Sequence, residues 1–107
     1  MTEVWLKGTK VAGKPIFEMI VKKGTREIAR EVITPASPLF SLTVKEAALW
    51  ILRSKESMLE QFFVFKTWEE MKNIPVREEE MKEAAEELKL VREAIKEIES
   101  WGDEHGR

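Results

Sequence analysis

Three observations predict an α+β domain: a small antiparallel sheet of about four strands packed with helices, followed by a long C-terminal coiled-coil helix. The first 33 residues alternate short β-patterned segments with glycine. Thr43-Val44-Lys45-Glu46 has the spacing of a helix-starting capping box, and residues 81–98 carry an apolar heptad. At 107 residues the chain has room for one core. We divide it into a body over 1–74 and an oligomerisation helix with its tail over 75–107.

The strands come first. Glu3 to Lys7, Ile16 to Lys22 and Arg26 to Ile33 read as strands, the last two joined through Lys23-Gly24-Thr25. Two hairpin registers are open. A two-residue loop places Phe17, Met19, Val21, Ile28, Arg30 and Val32 together; a three-residue loop joins Ile16, Glu18, Ile20 and Lys22 with Arg26, Ile28 and Arg30. In the first strand, Val4 and Leu6 face the helices, while Trp5 and Lys7 lie on an open face.

Pro35 to Ser41 is a loop, and the capping box then opens a helix through Ala47, Ala48, Trp50, Ile51 and Leu52 that ends at the polar run 53–57. Leu59 to Lys66 reads as a fourth strand, with Phe63 and Phe65 in the core and Phe62 and Lys66 on the open face. Thr67 begins a short helix to about Asn73. Pro75 breaks the chain, and a final helix over 76–101 starts on the acidic run 78–80. Met81, Ala84, Leu88, Val91, Ile95 and Ile98 repeat at spacings of three and four, the seam of a zipper. A helix of that length, about 39 Å, is predicted to overhang the body and pair with another copy. The alternative is that the stripe packs back across the sheet.

Composition narrows function. The chain has no cysteine, and its one histidine, His105, stands in the tail GDEHGR, so thiolate chemistry and nitrogen- or sulfur-rich metal sites are excluded. No phosphate-cradling glycine loop or nucleophile elbow occurs. The expectation is a protein that is not an enzyme and uses no cofactor. The absence of a long apolar run and of a signal-peptide pattern points to the cytoplasm, away from membranes. Nineteen of twenty acids are glutamate, and amides are scarce, a balance that suggests a thermophilic source.

Charge is uneven. Residues 1–75 carry twelve basic against nine acidic side chains, and residues 76–107 carry six against eleven. A single strand of nucleic acid is held by cations along its backbone and by rings on which bases stack. The candidates are Trp5, Lys7, Lys10, Lys14, Lys22, Lys23, Arg26 and Arg30 in the N-terminal strands, and Trp50, Arg53, Lys55, Phe62, Lys66 and Trp68 further on.

The basic β-rich start, the apolar middle ALWILRSKESMLEQFFVF and the stretch MKEAAEELKLVREAIKEI together resemble ThermoDBP and related single-stranded DNA-binding proteins of hyperthermophilic archaea. The resemblance is one of layout and composition across most of the chain. It implies single-stranded DNA held in a cleft with apolar walls and basic edges, and a dimer or higher oligomer joined through the last helix. The other reading is an assembly or adaptor module that binds protein through the coiled coil and an exposed apolar surface.

Overall fold

The computed structural model describes residues 1–102. Three antiparallel strands, β1 (Thr2–Val11), β2 (Lys14–Lys23) and β3 (Arg26–Ile33), form a sheet in the order β1-β2-β3. A 3-10 turn at Pro38–Ser41 leads into α1 (Val44–Met71), and α2 (Glu78–Glu99) returns beside it. The fold is α+β, with three strands rather than four.

The β1–β2 hairpin turns on Ala12 and Gly13, both at positive φ (51° and 78°), the left-handed pair that matches the twist of a two-residue hairpin. The β2–β3 connection has the two-residue loop of the first anticipated register and the face-sharing of Glu18 and Ile20 with Arg30 of the second, but beyond the loop its pairing is neither. Lys23 pairs with Arg26 across the two-residue Gly24-Thr25 loop, but the register shifts after Lys22–Glu27, so that Val21 pairs with Ala29 and Ile20 with Arg30. Ile28 is the extra residue of a β-bulge. Ile28 and Ala29 are consequently both buried. Glu27 and Arg30, three apart and on opposite faces of a regular strand, come to the same face.

The capping box at Thr43 forms as expected: the Glu46 backbone N–H donates to Thr43 Oγ1 (3.1 Å), and the Thr43 N–H donates to Glu46 Oε1 (3.0 Å). The helix it opens does not stop at residues 53–57. From Leu39 to Ile74 there is neither glycine nor proline, and Arg53, Lys55 and Glu56 are good helix formers, so α1 runs 28 residues, about 42 Å, through the expected fourth strand. Thr67 is not a cap either; its hydroxyl donates to the Phe63 carbonyl one turn back (2.9 Å). α1 ends at Lys72–Asn73, with Asn73 at φ 61°.

Helical geometry redistributes the rings. Phe62 and Phe63 are half-buried against the core, whereas Phe65, expected inside, is 60% exposed beside Trp68. At 100° per residue, Phe65 and Trp68 point away from the face that carries Leu52, Leu59 and Phe63.

α2 packs antiparallel to α1. Ion pairs from Arg53 to Glu99, Arg92 to Glu56, Lys55 to Glu87 and Lys66 to Glu80 run in opposite chain directions along the two helices. Of the zipper seam, Ala84, Leu88, Val91 and Ile98 are buried within this chain, and Met81 and Ile95 are half-buried. The expected overhang is absent because α1 is the longer helix and supplies the apolar partner that the seam needs. The alternative of an amphipathic helix folding back is the arrangement observed. One core of sheet and helix residues, centred on Met19, Val21, Leu52, Val91 and Ile98, holds the molecule together. Among the described residues, no helix is long and apolar enough to cross a membrane.

Candidate nucleic-acid interface

Both helices lie on the Met19–Val21 side of the sheet. The other face is left without a covering element, and register places three cross-strand rows on it: Glu3–Lys22–Glu27, Trp5–Ile20–Arg30 and Lys7–Glu18–Val32. Val4 lies on the helix side, half-buried, and Leu6 also faces that way. The parity read for β1 is therefore the one observed.

Trp5 is the large ring of the open face, 47% exposed. It stands beside Ile20, which is almost completely buried between Trp5 and Arg30 on the neighbouring strands. The indole N–H donates to Glu3 Oε2 (3.3 Å), and Lys22 Nζ sits 4.6 Å from the ring centroid, a cation–π contact. One side of the ring thus serves structure while the remainder faces solvent.

Arg30 is held on the same face. Its guanidinium reaches Glu18 Oε2 (2.7 Å) and Glu27 Oε1 (2.6 Å), the latter made possible by the bulge. These bonds raise the guanidinium pKa, and the hydrogen bond from Arg30 is the main reason the Glu27 carboxyl lies below its ordinary value. With two carboxylates already on it, Arg30 has little left to offer a phosphate.

The lysines differ. Residues 4–17 contain Lys7, Lys10 and Lys14 and no acid. None of these three, nor Lys22, makes an ion pair among the described residues. β1 and β2 remain paired past the end of β3, through Thr9–Ile16, Lys10–Pro15 and Val11–Lys14. Lys10 and Lys14 therefore ride on a short two-stranded ribbon that projects from the sheet. Lys14 lies on the face of Trp5 and Lys7, whereas Lys10 lies on the opposite face, in line with Val4 and Leu6.

The remaining candidates are not brought to this face. Lys23 turns to the helix side and pairs with Glu93 and Glu97, and Arg26 pairs with Glu86. Arg53 pairs with Glu99 and Lys55 with Glu87. Lys66 pairs with Glu69 and Glu80, and the hydrogen bond to Glu69 raises its pKa. Phe62 sits in a groove lined by Lys55, Glu80, Glu83 and Glu87, with Lys66 Nζ 5.4 Å from its ring centroid, and both lysines are already paired with those glutamates. The acidic C-terminal helix folds over the body and neutralises five of its cations.

Trp50 and Trp68 are each about half exposed on α1. They belong to a series the sequence reading missed: Trp50, Ser54, Ser57, Gln61, Val64, Trp68 and Met71 recur at spacings of four and three along the face of α1 turned away from α2. The spacing was present in the sequence, but two serines and a glutamine hid it. Among the described residues, no group of three or more His, Cys, Asp or Glu side chains is placed to hold a metal ion. His105 lies outside the described residues.

Comparison with known proteins yields no relative: no family model matches the chain, and no curated protein or solved structure does.

Proposed function

We propose that this protein binds single-stranded nucleic acid, DNA in the first instance, on the open sheet face and its ribbon, without sequence preference and without catalysing a reaction. The observation that carries this reading is the half-exposed Trp5 ring on one face with Lys7, Lys14 and Lys22, three cations that make no ion pair among the described residues, although Glu3, Glu18 and Glu27 share the face. A base stacked on Trp5 contributes about 1–3 kcal/mol. The lysines steer and position the strand but read no sequence. The resemblance to ThermoDBP implies the same class of ligand, though the site proposed here is an open face rather than a cleft.

Titration of a dye-labelled oligothymidylate, followed by fluorescence anisotropy at several salt concentrations, tests the proposal. Three phosphate contacts predict a log–log salt slope of roughly −2 for a single strand. No anisotropy change at low salt refutes it. The assembly-module reading is favoured by a different observation, the uncovered apolar face of α1.

A further inference from the structure

We infer that the exposed face of α1 is where two copies of this chain join, as an antiparallel α1–α1 pair about a two-fold axis at Gln61. This is independent of nucleic-acid binding and moves the dimer interface from the last helix, whose seam is occupied within the chain, to α1.

The area is of the right size. Trp50, Met58, Val64, Phe65, Trp68 and Met71 are between 49% and 80% exposed. Taking about 200 Å² for a large apolar side chain, they present roughly 750 Å² per copy. A stable interface buries about 800 Å² per partner, and the largest apolar patch of an ordinary monomer is about 300–600 Å². The seven seam positions from Trp50 to Met71 carry no charge, while Glu46 and Arg53 edge the groove and Lys72 Nζ lies 4.3 Å from the Trp68 ring at its far end.

The shape selects a second copy running in the opposite direction. The N-terminal half of the face is a groove floored by Ser54 and Ser57 beside Trp50 and Leu49. The C-terminal half is a ridge, with the Phe65 and Trp68 rings 5.9 Å apart. A two-fold axis at Gln61 sets Ser54 opposite Trp68 of the second copy, Ser57 opposite Val64, Trp50 opposite Met71, and Gln61 opposite itself. Each ridge then fills the other copy's groove. The one amide at the axis meets its own symmetry mate, where two carboxamides satisfy each other's donor and acceptor. A parallel pair would set serine against serine and tryptophan against tryptophan, leaving gaps and clashes in alternate layers.

The chain has no cysteine, so the geometry can be tested by oxidation. Gln61→Cys in the full chain is expected to form a disulfide-linked dimer under mild oxidation, as is a mixture of Trp50→Cys with Met71→Cys, whereas Lys89→Cys on the exposed side of α2 is not. Sedimentation of the unmodified protein without nucleic acid is expected to give twice the 12.5 kDa chain mass, and Ser57→Arg is expected to halve it with helix content by circular dichroism unchanged. A monomeric wild type at high micromolar concentration overturns the inference. So does a dimer that links through Lys89→Cys and not Gln61→Cys, whatever Ser57→Arg does.

Discussion

The Lys22 ammonium lies 4.6 Å from the centroid of the Trp5 ring, on the sheet face that no helix covers. An exposed cation–π contact of this kind is worth only about 0.5–1 kcal/mol, so a base and its phosphate can take both partners at small cost. Lys22→Ala is therefore expected to weaken oligonucleotide binding and to reduce the salt slope by about 0.7, the share of one phosphate contact. Lys22→Arg should retain the slope. Anisotropy titrations of both variants at matched salt concentrations check this.

Cations already matched by α2 should behave otherwise. Arg53 and Lys55 lie 2.7 and 3.0 Å from Glu99 and Glu87 and sit on α1, away from the open face. The double variant Arg53→Ala, Lys55→Ala is expected to leave oligonucleotide affinity within about twofold and the slope unchanged, since slope counts only the cations that release counterions. A fall in slope comparable with that of a Lys7, Lys10 and Lys14 triple alanine variant would place the strand on the helices.

The seam of α2 belongs to the protomer core. Ile98 and Val91 are fully buried against α1 and the sheet. Ile98→Ala is expected to lower unfolding free energy by about 2–5 kcal/mol, measured by urea denaturation, with the oligomeric state of the folded fraction unchanged. A variant that dissociates without losing stability would return the seam to an intermolecular role.

Glu97 ties the first strand to the last helix. Its carboxylate accepts a hydrogen bond from the buried Thr2 hydroxyl and another from Lys23 Nζ (3.1 Å), and these hold its pKa below the ordinary 4.5. Because the folded value is the lower one, the stabilisation is fully present above about pH 4.5 and is lost as pH falls through the depressed value. The stability difference between wild type and Glu97→Gln is therefore expected to be constant near neutrality and to shrink below pH 4.5. Urea midpoints of the two proteins across that range measure it.

What could be read from the sequence follows the range of the interactions involved. The three strands, the Thr43 capping box and the outward placement of Trp5 and Lys7 rest on alternation and on side chains within a few residues of each other, and all were legible. The fourth strand was not, because Phe62, Phe63 and Phe65 have β propensity locally, yet nothing between Leu39 and Ile74 interrupts a helix already begun. The heptad of α2 was seen correctly as an apolar stripe, but periodicity does not say whose surface covers it. The bulge at Ile28 belongs to neither register that pattern alone suggests: it keeps the two-residue loop and then shifts the pairing one residue further along β3. The candidate site shrank for a similar reason: the partners of Lys23, Arg26, Arg53, Lys55 and Lys66 include α2 acids up to 74 residues away in the chain, and no local pattern announces them.

The central claim is that a base stacks on Trp5. A chain carrying Trp50→Phe, Trp68→Phe and Trp101→Phe keeps Trp5 as its sole indole, and its emission can be followed during titration with an oligothymidylate at low salt. The account predicts saturable quenching that reverses on addition of salt, with the midpoint matching that from anisotropy. Binding detected by anisotropy with Trp5 emission unchanged would contradict it, and so would the absence of binding by either signal.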